Sequence, residues 1–171
     1  YREILRSEAK RAWKQYGMVV LPGVEYSKNF ISNNRSAHVL AIYTDVDAME
    51  FSWADPTIAE LSIFTRNRGG IFIAAHPVST RKREKQTYHL WDNREKLKPL
   101  FDAWEVASGP FWFTEVAEAG LPLLASSDLH RFEQIHAWKT MLHCAREPYA
   151  ILQNIRAQTL EFIDRKSTRL N

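Results

Sequence analysis

The stretch Leu123-Leu124-Ala125-Ser126-Ser127-Asp128-Leu129-His130 is an apolar run that turns, through small residues, into a carboxylate and an imidazole. The run reads as a buried strand, and the serines let the backbone turn at its end. In extended backbone, positions i and i+2 face the same side, so Asp128 and His130 aim at one point. A carboxylate oxygen beside a neutral imidazole nitrogen suits zinc, manganese or iron. The same residues also suit a strand-to-helix connection, with Asp128 as an N-cap and His130 in the first turn.

Outward from this stretch, other strands end in the same residue types. Residues 71–75 read as a buried strand that runs into His76-Pro77. Proline pushes the residue before it into extended backbone, so His76 reads as the last extended residue, presented at the strand's end. Residues 18–21 read as a short buried strand closed by Pro22-Gly23, with Glu25 directly after the turn. Residues 38–43 read as a strand that opens with His38, a position that equally suits a hydrogen-bonded structural histidine. Glu105 lies inside a fourth strand, 102–106, where an unpaired charge is costly; it points into a polar site or pairs with a cation. Residues 138–143 read as a sixth strand.

Helical spacing fills the intervals. Ile4, Leu5, Ala9, Ala12, Trp13 and Tyr16 predict a helix over 1–16, with Gly17 as its C′ stop. Asp55-Pro56 reads as an N-cap with proline at the first helical position, opening a helix through Arg66 with a stripe of Ile58, Leu61, Ile63 and Phe64. Further helices are predicted over 93–101, 111–119 and 147–158, and residues 79–92 as a long polar excursion with His89 at the surface. His136 and His143 lack ligand-like neighbours and read as core or loop residues. Alternation of this kind predicts α/β architecture with a parallel sheet and crossover helices. Glu25, His76 and the Asp128/His130 pair follow strand ends, where functional groups collect in such folds. His38, which opens its strand, does not fit that rule.

The chain has 171 residues, one domain's worth, with six Trp, six Tyr and nine Phe to fill a core. Arg165, Lys166 and Arg169 carry the whole formal charge of +3, leaving residues 1–164 neutral, so charge does not indicate a nucleic-acid partner. No apolar run approaches the ~20 residues of a membrane span, and no signal-peptide pattern opens the chain. A single Cys144 excludes an intramolecular disulfide and fits a reducing, cytoplasmic setting. The chain starts at Tyr1 already in a helical pattern, and it reads as a fragment. Residues 1–164 form the expected domain; 165–171 form a polar tail, read as a frayed end or as sequence foreign to the gene.

Taken in order, Gly23-Val24-Glu25, His38, Ala75-His76-Pro77, Trp104-Glu105-Val106 and Ser127-Asp128-Leu129-His130 resemble the PHP (polymerase and histidinol phosphatase) family over most of residues 1–145. The resemblance implies a distorted (β/α)7 TIM-like barrel, here partial and lacking its first strands, with two or three divalent ions that hydrolyse phosphoesters. It implies that Glu25 bridges two ions, that His38 and His76 complete one, and that Asp128 binds the other and His130 a third. Glu25, His76 and Asp128 are then the catalytic set. Family members also carry a His-x-His strand, a further His and a Thr-Asp-His turn. None occurs here, so the isolated 171 residues are expected to bind metal poorly and turn over little.

Clustered ions of this kind, whether Zn, Mn or Fe, activate water and clamp phosphoryl oxygens. Position suggests Arg81, Arg83 or Arg131 for a substrate phosphate, on a small phosphorylated metabolite or nucleotide. Two alternatives stand beside this one. They are an amidohydrolase-like barrel hydrolase and a non-catalytic scaffold module.

Overall fold

The computed structural model describes residues 1–28, 36–49, 55–78 and 88–164. In chain order the elements are α1 (Arg2–Tyr16), β1 (Gly23–Lys28), β2 (Ala37–Ile42), α2 (Ile58–Asn67), β3 (Ile71–Ala74), α3 (Tyr88–Asp92), α4 (Arg94–Leu97) and β4 (Ala103–Ser108). They are followed by β5 (Phe111–Trp112), α5 (Thr114–Ala117), β6 (Leu123–Ser126), β7 (Lys139–Leu142), α6 (Pro148–Ala157) and β8 (Leu160–Ile163).

Helix α1 ends as its sequence dictates. Gly17 takes φ 60°; its N–H reaches the Trp13 carbonyl at 2.9 Å, and the Met18 N–H reaches the Ala12 carbonyl at 3.4 Å. Its apolar stripe is largely uncovered among the described residues: Ile4, Trp13 and Tyr16 are exposed, and Leu5 packs against the core. Helix α2 corrects the expected start. Its N-cap is Thr57, whose hydroxyl accepts the Glu60 N–H at 3.2 Å while the Glu60 carboxylate accepts the Thr57 N–H at 2.7 Å. This reciprocal box outcompetes Asp55-Pro56, and Asp55 pairs instead with Lys28 at 2.7 Å. Of the expected stripe Leu61 is buried but Ile63 is exposed; Ser62 and Thr65 take the buried face and satisfy their hydroxyls on the Leu100 and Leu61 carbonyls.

The strand expected over 18–21 does not form. Met18 and Val20 are exposed there, and the ladder begins at Gly23 instead, which puts Glu25 within a strand rather than after one. Strand formation needs a hydrogen-bonded partner strand, and among the described residues 18–21 pair with none. Two further departures follow the same logic. The helix expected over 111–119 is shortened to α5 because Phe111 and Trp112 pair with the end of β4. Residues 160–163 form β8 because β7 supplies its partner.

The main sheet is mixed and six-stranded, in the order β1-β2-β3-β4, with β5 and β6 both pairing with β4. β2 runs antiparallel to β1 and β3, whereas β3, β4 and β6 are mutually parallel. Among the described residues the sheet is open, and β7 and β8 form a separate antiparallel pair, so no closed barrel is seen among them. Thr140 of β7 reaches toward β6 all the same: its hydroxyl accepts the Ala125 N–H at 2.9 Å and donates to the Ala125 carbonyl at 2.8 Å.

The sheet is packed on both faces, as the unbroken burial of β3 and β4 requires. Val39, Ala41, Phe72, Ala74, Trp104 and Val106 face a core shared with Leu61, Leu90 and Phe101. Ile71, Ile73, Ala103 and Leu124 face the other way, against Leu152 and Ile155 of α6. Each fully buried Val, Leu, Ile or Phe side chain among them stabilises the fold by about 1.5–3 kcal/mol. No helix among the described residues is long and apolar enough to cross a membrane.

Candidate metal centre

The register of three strands places the site. Glu25 of β1 lies opposite Leu40, and His38 opposite Ser27, so Glu25 and His38 share one face as diagonal neighbours. Leu40 in turn lies opposite Ile73, which puts this face on the α6 side of the sheet. Because β2 runs against its neighbours, its first residues lie beside the last residues of β1 and β3. His38 therefore opens its strand yet lies with the strand ends, which resolves the exception in the sequence pattern.

The side chains converge. The His38 Nδ1 is 2.9 Å from the Glu25 Oε1, and the His76 Nε2 is 3.7 Å from the same oxygen. The two imidazoles meet edge to face with centroids 5.0 Å apart. Ligand atoms of Glu25, His38 and His76 all lie within 4.8 Å of one another. A mixed set of two imidazole nitrogens and one carboxylate oxygen suits zinc, manganese or iron. Liganding atoms ~2.1 Å from a tetrahedral ion are separated by roughly 3.4 Å, so the cluster needs only small adjustment to hold one.

His76 corrects the expectation of an extended residue before proline. It takes φ 28°, in the left-handed region. The cause is non-local: its N–H is captured by the Glu105 Oε2 at 2.7 Å. Holding a non-glycine residue there costs on the order of 1–3 kcal/mol. Glu105 is 2% exposed and lies opposite Leu124 of β6, so Ser126, two residues on, shares its face and donates its hydroxyl to the Glu105 Oε1 at 2.6 Å. Glu105 thus points into a polar site, one of the two options its sequence left open.

Charge follows the geometry. The imidazoles of His38 and then His76 hold the Glu25 carboxyl well below the usual carboxylate range, against a smaller opposing effect of burial. Burial is the largest influence on His76 and lowers it, but Glu25, Glu105 and Asp128 together outweigh burial and leave it raised. Burial pushes Glu105 up, although Ser126 and His76 pull the other way.

Asp128 and His130 lie apart from the three-residue cluster, although Asp128 is near enough to act on the charge of His76. Asp128 takes φ 45°, so the simple i, i+2 geometry of extended backbone does not apply. It is not an N-cap either, because the N-cap position of the 3-10 turn Phe132–His136 is Arg131. His130 folds back, its Nδ1 2.9 Å from the Asp128 carbonyl and 3.3 Å from the Asp128 Oδ1; the Ser108 hydroxyl reaches the Asp128 Oδ2 at 3.3 Å. Gln134 staples this loop. Its Oε1 accepts the N–H groups of His130 and Arg131 at 2.7 Å each, and its Nε2 donates to the Asp128 carbonyl at 3.0 Å. Arg131 is exposed beside this loop, whereas Arg81 and Arg83 lie outside the described residues, as does the 165–171 tail. His89 belongs to α3 and is half-buried. His136 is exposed, and His143 is exposed and 3.3 Å from Glu161 across the β7–β8 pair, so neither packs in the core.

The sequence pattern gave Ser126 only a turn and assigned no role to Ser108 or Gln134. The only signal for Ser126 was its place at the end of an apolar run, and nothing local marked the other two.

No protein-family model matches the sequence, and no curated protein matches it. The fold is similar to the solved structure of a two-domain protein from Bacteroides vulgatus containing a predicted PHP-like metal-dependent phosphoesterase. That match has a TM-score of 0.63 and 16% identity over 94% of this chain and 48% of the other. This chain therefore spans about half the length of that neighbour, and at such identity the likeness concerns the fold alone.

Proposed function

We propose that this chain contributes one metal position of a PHP-type phosphoesterase, with Glu25, His38 and His76 holding a divalent ion and a small phosphorylated molecule as substrate. The observation that carries the reading is the convergence of these three side chains, from three different strands, to within 4.8 Å. A fold similar to that of a protein containing a predicted PHP-like phosphoesterase supports it.

A divalent ion bound there supplies Lewis acidity for a phosphoryl oxygen and a route to hydroxide near neutral pH. The protein's own groups do the rest. Glu25 is anionic at neutral pH, and the two imidazoles that face it keep it so further into acid, so it enters coordination without losing a proton. His76 must lose any proton it carries, and acid therefore opposes binding. Asp128 and His130, held by Ser108 and Gln134 on the neighbouring loop, extend the donor set toward further ions. Arg131 at the mouth of that loop suits a phosphate oxygen pair.

The test is a titration of the metal-free chain with Mn²⁺ or Zn²⁺, followed by assay on chromogenic phosphomonoesters, phosphodiesters and an amide panel. We expect saturable binding that His76→Ala or Glu25→Ala abolishes, with any hydrolysis confined to phosphoesters. Binding that survives both substitutions, or amide cleavage without phosphoester cleavage, refutes the reading.

A further inference from the structure

A histidine at φ 28° directly before a proline is disfavoured on two counts: its Cβ crowds the left-handed region, and the proline ring biases it toward extended backbone. Local sequence cannot hold His76 there. One carboxylate from another strand does. Glu105 accepts the His76 N–H on Oε2 and the Ser126 hydroxyl on Oε1, from a position 2% exposed on β4. The ends of β3 and β6 are thereby tied to β4 through a single buried side chain. Each carboxylate oxygen is engaged by a donor, one of them the His76 N–H, so Glu105 is placed to act through His76.

We propose that Glu105 is a positioning residue of the metal centre: it fixes the left-handed turn from which the His76 imidazole meets Glu25 and His38. The inference rests on the reading of that cluster as a metal centre and adds a residue to it. Supporting residues of this kind act on ligand orientation, and their loss typically weakens metal binding by ~10–100-fold.

Co²⁺ serves as the probe, because its visible absorption reports both affinity and ligand geometry. Thermal unfolding of each variant reports folding separately. Glu105→Leu removes the acceptor; the folded variant is expected to bind Co²⁺ ~10–100-fold more weakly, with an altered spectrum. Glu105→Gln keeps a carbonyl oxygen for the His76 N–H while its amide donates to the Ser126 hydroxyl, so it is expected within about threefold of the unsubstituted protein. Should Glu105→Leu fail to fold, Glu105→Asp decides, because its carboxylate is one methylene too short for the His76 N–H and binding should weaken by about tenfold.

Wild-type affinity and spectrum in folded Glu105→Leu or Glu105→Asp, or a Glu105→Gln protein as weak as Glu105→Leu, overturns the positioning role. No Co²⁺ spectrum in the unsubstituted protein, or one indifferent to His76→Ala, removes the metal centre itself and the inference with it.

Discussion

Ser126→Ala perturbs the candidate site without touching Glu25, His38 or His76. The substitution deletes the hydroxyl that donates to the Glu105 Oε1 at 2.6 Å and leaves that oxygen buried without its partner. A hydrogen bond to a charged group contributes about 1.5–3 kcal/mol. For a chain of this size each kcal/mol moves Tm by about 2–4 °C, so the expected drop at neutral pH is about 3–12 °C.

The pH dependence makes this prediction specific. Burial raises the Glu105 carboxyl above its ordinary value of 4.5, and the Ser126 hydroxyl is the largest influence pulling it back down. An acid raised in the folded state destabilises the fold as pH climbs past its unfolded value, because the unfolded chain ionises first. Below that value both states are protonated and the penalty vanishes. Removing Ser126 lifts Glu105 further, so the mutant deficit should be smaller at pH 4 than at pH 7.5. Glu25 has the opposite sign: its lowered carboxyl adds stability above the unfolded value, and that stability is lost on acidification. Subtracting wild type from mutant at each pH cancels it. Urea unfolding at the two pH values reads the difference. A deficit equal at both, or below about 0.5 kcal/mol at pH 7.5, refutes the reasoning.

Three other substitutions test particular contacts. Thr57→Ala breaks the reciprocal cap of α2 and should lower stability by about 1 kcal/mol in urea, while Thr57→Ser should cost only a few tenths; an equal loss in both contradicts the cap. Gly70→Ala places a Cβ 2.7 Å from the Ile42 carbonyl oxygen and 2.8 Å from the Tyr43 ring, so backbone must shift. A loss of about 1–3 kcal/mol is expected, and an unchanged melting curve is evidence against that close approach. Gln134→Leu removes the acceptor of the His130 and Arg131 N–H groups; amide exchange at both should quicken by about tenfold or more, and unchanged protection means the Asp128 loop is held by other contacts.

Local chemistry made much of the site legible. The run into His76-Pro77, the Asp128-x-His130 pair and the strand carrying Glu105 each carry their signal within a few residues. Even there, backbone conformation escaped. The proline rule describes what a neighbour's ring prefers, and at His76 a buried carboxylate far along the chain supplies a stronger constraint. The helix start at Thr57 was legible in type but not in position, because two capping solutions stood side by side and the reciprocal one won.

What the sequence by itself determined are the periodic segments and the residue types at their ends, because side-chain burial repeats along a helix or strand and leaves a local record. Strand direction leaves none. Only the pairing of β2 against β1 and β3 brings His38 to Glu25 and His76, and only the register of β4 with β6 sets Ser126 against Glu105. Those facts belong to hydrogen-bond ladders between distant residues, and their energies exist only once the chain has folded.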